Sequence, residues 1–236
     1  MAEDTPHQAA IRRATDAIRA LPPADDPEVR SEVRHAIKHL TTYRRAVPYL
    51  VCTGWLTSVE LQRSVDGAGQ PIPWYTYPAI AFLSSKDYGT LRVFEFGSGG
   101  STIWWAARAK SVVSVEHDAA WAEEIRPQLP DSVDYHHEPL VPGGDYSRKA
   151  ETLGGPYDIV IVDGRDRVNS ALSSRSTLSP SGVIIWDNAE RRRYTKGCEQ
   201  LLASGFRRLD FHGMGPIAGN PTVTSIFYRP DNCLGI

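Results

Sequence analysis

The chain has 236 residues, 41% of them hydrophobic, with a formal net charge of -2, which suits one well-buried domain plus a modest extension. With no basic excess, nucleic acid and anionic membranes are not the expected partners, and no run of about 18 apolar residues is present to cross a bilayer. A polar, acidic N-terminus without a signal-peptide pattern, and three widely spaced cysteines (Cys52, Cys198 and Cys233), point to reduced thiols in a cytoplasmic protein.

Two helices are predicted first, over residues 6–20 and 27–45, split by Leu21-Pro22-Pro23-Ala24-Asp25-Asp26-Pro27. Ala10, Ile11, Ala14, Ala17 and Ile18 recur at helical spacing in the first, and Val29, Val33, Ala36, Ile37 and Leu40 in the second. Asp26 is placed to cap the second helix, and Pro27 suits its first turn. Covering a sheet edge, capping a pocket and pairing with a second copy of the chain all remain open for this pair. A turn at Asp66–Gly69 leads to Pro71-Ile72-Pro73-Trp74-Tyr75-Thr76-Tyr77-Pro78, a stiff aromatic segment that either packs the helices onto the sheet or walls a ligand site. A short helix, Ala79–Leu83, follows.

From there strands and helices alternate. Val93–Phe96 is a strand, with Glu95 near its end. Gly97, Gly99 and Gly100 form a turn, and a helix covers Ile103–Ala109. The second strand, Ser111–Val115, ends in Glu116. A helix near 118–128, a strand at Val133–His137 and a polar loop from Glu138 to Pro156 come next. The fourth strand is Tyr157–Val162, a helix follows near 167–178, and after Ser179-Pro180-Ser181-Gly182 the fifth strand is Val183–Trp186. A helix near 190–203 precedes strands at Phe206–Phe211 and Val223–Tyr228. No helix fits between these last two, so they are expected to be antiparallel neighbours.

Glycines after a strand let backbone N–H groups crowd a ligand at a helix N-terminus, and an acid ending the next strand is placed for ribose hydroxyls. A dinucleotide fingerprint asks for a third glycine where Thr102 stands, and Glu95 argues for a cationic ligand. At Glu95-Phe96-Gly97-Ser98-Gly99 and at Glu116 the chain resembles the class I S-adenosylmethionine-dependent methyltransferases. The resemblance implies an α/β, doubly wound, Rossmann-like seven-stranded sheet, mostly parallel with an antiparallel C-terminal strand. It covers about residues 78–230 and makes 78–236 one domain, with 1–77 as a helical extension. It also implies that Glu95, Gly97, Ser98, Gly99, Ser101, Thr102, Glu116, His117 and Asp163 form the cofactor site.

Ligands of such sheets bind beyond the carboxyl ends of the strands. Asp163 after the fourth strand and Asp187-Asn188 after the fifth are similar to the site of metal-dependent O-methyltransferases of the catechol and caffeoyl-CoA type, and two carboxylates with an amide suit Mg²⁺. An alternative has Asp163 facing the cofactor and Asp187-Asn188 capping a helix near Glu190. Arg165, Arg167 and Arg191–Arg193 bring cations nearby, where they either hold an anionic substrate or form a solvated face. His212, read as part of a loop, is a candidate general base beside Asp163; His137 is a strand-end residue without an assigned role, and Tyr146 belongs to a candidate lid loop. The expected function is methyl transfer to a small-molecule hydroxyl, with Mg²⁺ assisting. The alternatives are a metal-independent N-methyltransferase, a non-catalytic cofactor-binding module and, behind these, an NAD-linked oxidoreductase.

Overall fold

The computed structural model describes residues 6–21 and 26–236; residues 22–25 of the predicted interhelical break lie outside them. Seven strands form one sheet: β1 (Arg92–Phe96), β2 (Ser111–Glu116), β3 (Val133–His137), β4 (Tyr157–Val162), β5 (Leu178–Asp187), β6 (Arg207–Gly213) and β7 (Thr222–Tyr228). Their order is β3-β2-β1-β4-β5-β7-β6. β1 to β5 pair in parallel, whereas β7 is antiparallel to both β5 and β6. The helices are α1 (Pro6–Arg19), α2 (Pro27–Cys52), α3 (Trp55–Leu61), α4 (Tyr77–Ser84), α5 (Gly100–Ala106), α6 (Ala119–Ile125), α7 (Asp145–Thr152), α8 (Arg167–Ser173) and α9 (Thr195–Ala203).

The central strands are apolar on both faces, which is why helices must cover both. Phe94, Phe96, Val160, Val162, Ile184 and Trp186 face Tyr146, Ala150, Ala171, Cys198 and Leu201 of α7, α8 and α9. The alternate residues Val93, Ile159, Ile161, Val183 and Ile185 pack against Leu83, Trp104 and Trp105 of α4 and α5. Chain order reverses direction between β1 and β4, and the carboxyl ends of these two strands therefore flank the crevice where such sheets bind ligands. Among the described residues, no helix is long and apolar enough to cross a membrane.

Several boundaries differ from the predicted ones for identifiable reasons. Asp26 does cap α2, accepting from the Glu28 N–H at 2.7 Å. That helix continues through Pro48 to Cys52. Proline forfeits one backbone bond there, but Thr53 closes the last turn, with N–H and hydroxyl both donating to the Tyr49 carbonyl at 3.0 and 2.9 Å. The polar loop after β3 contains α7, whose buried residues Tyr146, Ser147 and Ala150 lie on one face; Tyr146 thus belongs to the core and not to a lid. Ser179–Gly182, which reads as a turn, is a bulged stretch of β5 with its register shift opposite Tyr157–Ile159. His212 is inside β6, paired with Val223, so the expected flexible loop at that position is a strand.

Candidate active site

The glycine loop after β1 is shaped by contacts that only glycine permits. Gly97 has φ +90°, and a Cβ there would meet the Cα and N of Gly164 at 2.6 and 2.7 Å. The loop and the tip of β4 therefore pack backbone against backbone, supported by the bond from Asp163 N–H to the Phe96 carbonyl at 3.1 Å. Gly99 is different: a Cβ there would find nothing nearer than the Trp121 ring at 4.0 Å. Its open side faces a cavity of about 760 Å³, a size usual for small-molecule sites.

Glu95 braces the loop from beneath. It is fully buried. Its Oε2 accepts hydrogen bonds from the hydroxyls of Thr102 and Ser114, and Thr102 Oγ1 in turn accepts from the Gly99 N–H at 3.0 Å. Oε1 has no hydrogen-bond partner. Burial raises the carboxyl from its ordinary 4.5 to about 7, with the Ser101, Thr102 and Ser114 hydroxyls opposing the shift. The folded protein thus holds this proton more tightly than the unfolded chain, so stability falls as pH rises from about 4.5 to about 7. A carboxamide cannot ionise. Glu95→Gln is expected to shrink the difference in stability between pH 5 and pH 8 by on the order of 3 kcal/mol. Parallel melting profiles for variant and wild type would refute this.

Glu116 joins the loop to the end of β2. Its Oε2 accepts from Ser98 N–H at 3.0 Å, and its Oε1 accepts from the N–H groups of His117 and Asp118 at 2.8 and 2.9 Å. His117 Nδ1 stands 2.6 Å from the same Oε1. Each carboxylate oxygen offers about two acceptor positions, so Oε2 retains one for a ligand. Trp121, which the sequence reading passed over, donates its indole N–H to the Ser98 carbonyl at 2.8 Å and completes this wall. Its only advance signal is a large aromatic on a short, alanine-rich helix.

The β4 and β5 tips carry Asp163, Asp187 and Asn188, and all three line the cavity. The space between the two carboxylates belongs to Arg167. Its guanidinium lies 2.8 Å from Asp163 Oδ1 and 3.9 Å from Asp187 Oδ2. It also donates to the backbone carbonyls of Asp163, Gly164 and Asp187. Thr224 donates its hydroxyl to Asp187 Oδ1 at 2.7 Å. Burial raises both acids, with Arg167 and then Arg191 pulling Asp163 back, and with Asp163 adding to the rise at Asp187. Asp163 makes the closer ion pair with Arg167, while burial keeps both carboxyls raised.

These residues do not fit the expected Mg²⁺. A buried, permanently charged guanidinium already supplies the cation between the two carboxylates, and a divalent ion there would meet it at close range. The alternative capping role for Asp187-Asn188 does not hold either. Asn188 has φ +54°, Arg191 is extended, and α9 starts only at Thr195.

The expected cofactor residues divide by depth. Gly97, Ser98, Gly99, Ser101, Glu116, His117 and Asp163 line the cavity. Glu95 and Thr102 are fully buried below it. His212 is exposed on β6 and is not among the lining residues, and His137 is likewise exposed at the end of β3. The aromatic segment serves both of its readings: Tyr75 and Tyr77 are buried in the core, whereas Trp74 lines the cavity. The open cradle at Gly99 and the free acceptor position on Glu116 fit an adenosyl ligand.

No protein-family model matches the chain, and no curated protein matches it in sequence. Solved structures do. A precorrin-6y C5,15-methyltransferase from Geobacter metallireducens aligns over 63% of this chain and 86% of its own at 16% identity, with a TM-score of 0.51. A putative O-methyltransferase from Klebsiella pneumoniae aligns over 97% and 92% at 15% identity, TM-score 0.49. The O-methyltransferase TomG from Streptomyces achromogenes, solved with S-adenosylmethionine, aligns over 64% and 76% at 18% identity, TM-score 0.49. Together with the strand order, the first of these likenesses shows that this chain has the Rossmann-like fold of the methyltransferases.

Proposed function

We propose that this chain is an S-adenosylmethionine-dependent methyltransferase acting on a small-molecule hydroxyl without a divalent metal. The observation that carries the reading is the join between Glu116 and the glycine loop at the wall of the cavity. It sets an acid with a free acceptor position beside the Gly99 backbone, whose open side faces the cavity.

S-Adenosylmethionine supplies a methyl group on a sulfonium, so that the acceptor oxygen takes the methyl carbon while the sulfur keeps the electron pair of the broken bond. Glu116 would hold the ribose, and His117 and Trp121 would flank the adenosine. Asp163, paired with Arg167 and partly open to the cavity, would accept the hydroxyl proton. Arg167 ties both rim carboxylates to the backbone, a rigidity that favours in-line placement of the reactants. His212, exposed on β6 and not among the residues lining the cavity, is not assigned this proton.

Calorimetric titration with S-adenosylhomocysteine tests the reading. Micromolar binding is expected, unchanged by EDTA or by added Mg²⁺. An absence of binding under every condition would return the NAD-linked and non-catalytic alternatives to the front. Binding that required Mg²⁺ would overturn the metal-free part alone.

A further inference from the structure

Two arginines on the β4 and β5 side of the same cavity are, among the described residues, held by no hydrogen bond or ion pair. Arg165 follows the Asp163-Gly164 turn, Arg191 follows β5, and both line the cavity with exposed side chains. Among the described residues, neither guanidinium makes a hydrogen bond or an ion pair. The acids nearby make their hydrogen bonds and ion pairs with other groups, and the longer-range pull of Arg191 on Asp163 joins the two sets. Asp163 and Asp187 share Arg167. Asp166 accepts from Gly143 N–H at 2.7 Å and from the Asn169 amide at 2.8 and 3.1 Å. Glu190 accepts from Val223 N–H at 3.1 Å. The two arginines stand in a chain whose formal net charge is -2, so their placement does not follow from overall basicity.

We infer that the methyl acceptor carries an oxyanion, a carboxylate or a phosphate, which Arg165 and Arg191 hold at the rim beside Asp163. The inference rests on the methyltransferase reading and gives it a substrate class. Guanidinium groups match both anions through paired N–H donors, and an anion bound at the rim would bring a hydroxyl on the same molecule within reach of Asp163. The two arginines come from different strand tips, β4 and β5, so a single bound anion would bridge the two loops that carry the rim acids. Arg63 also lines the cavity, but from the wall over the glycine loop, where the Ser64 carbonyl lies 3.4 Å from the position of a Gly100 Cβ. It is on the cofactor side and is not part of the proposed acceptor site.

The test uses the full-length protein saturated with S-adenosylhomocysteine, titrated separately with inorganic phosphate, benzoate and uncharged benzyl alcohol. The wild type is compared with the double variant Arg165→Gln/Arg191→Gln. At least one of the two anions should bind the wild type at least tenfold more tightly than the variant, and benzyl alcohol should not distinguish the two proteins. Whichever of phosphate and benzoate shows the difference names the acceptor's anion. Because both guanidinium groups are exposed, the variant should melt with the wild type and bind S-adenosylhomocysteine equally well. Equal anion binding by both proteins, or none by either, would overturn the inference. So would displacement of the anion by S-adenosylhomocysteine, which would give these arginines to the cofactor. Failure of S-adenosylhomocysteine to bind the wild type at all would remove the methyltransferase reading and this inference together, an outcome distinct from loss of the anion site alone.

Discussion

Glu116→Ala should weaken binding of S-adenosylhomocysteine by roughly 10- to 150-fold. A hydrogen bond to a charged acceptor contributes about 1.5–3 kcal/mol, and the free position on Oε2 takes one ribose hydroxyl. The substitution also strips acceptors from the N–H groups of Ser98, His117 and Asp118, so the glycine loop loses its tie to β2 as well as its ligand. Glu116→Gln separates these effects. Its carbonyl oxygen can still accept from the backbone while the charge is gone, and its loss should be intermediate. Calorimetry on variants shown by melting to be folded would decide. An unchanged dissociation constant for Glu116→Ala would remove the residue from the cofactor site.

The fold was legible because its signals are local and physically forced. Strands buried on both faces must read as unbroken apolar runs, and Ile159–Val162 and Val183–Trp186 do so. A chain that crosses from β6 to β7 without room for a helix must turn back, hence the antiparallel end. The elements that were missed have weaker or ambiguous punctuation. In the loop after β3, glycines and prolines masked the i, i+4, i+7 series Tyr146, Ala150, Leu153 that forms α7. The Gly213–Pro216 run suggested a loop around His212, but pairing with β7 extends β6 to Gly213. At the site, the meeting of the glycine loop and Glu116 at one cavity was readable because spacing along one β-turn-α-β unit brings them together. The metal reading was not so protected. Asp163 and Asp187-Asn188 have the right residue types in the right order, but spacing does not say what stands between them. The answer, Arg167, lies four residues beyond Asp163 and had been read only as a nearby cation.

That arginine carries the second large expected effect. Arg167→Ala leaves two carboxylates facing one another in a buried site with no cation. Breaking such a pair costs about 3–5 kcal/mol, which for a chain of this size lowers the melting temperature by roughly 6–20 °C. The loss has a pH dependence whose sign is fixed. Without Arg167 both acids rise further above their ordinary range, so the folded state holds more protons than the unfolded chain, and stability falls as pH increases. The variant should therefore lie closer to wild type at pH 5 than at pH 8. Mg²⁺ gives the argument its sharpest form. At millimolar concentration it should leave the wild-type melt unmoved, because the guanidinium already stands between Asp163 and Asp187. In Arg167→Ala the same ion meets two carboxylates and the Asn188 amide with the space between them cleared, and it should recover part of the lost stability by binding only the folded state. A wild-type melt that rises with Mg²⁺ as much as the variant's would show that arginine and metal do not compete. The guanidinium would then be a neighbour of the cation site and not its occupant.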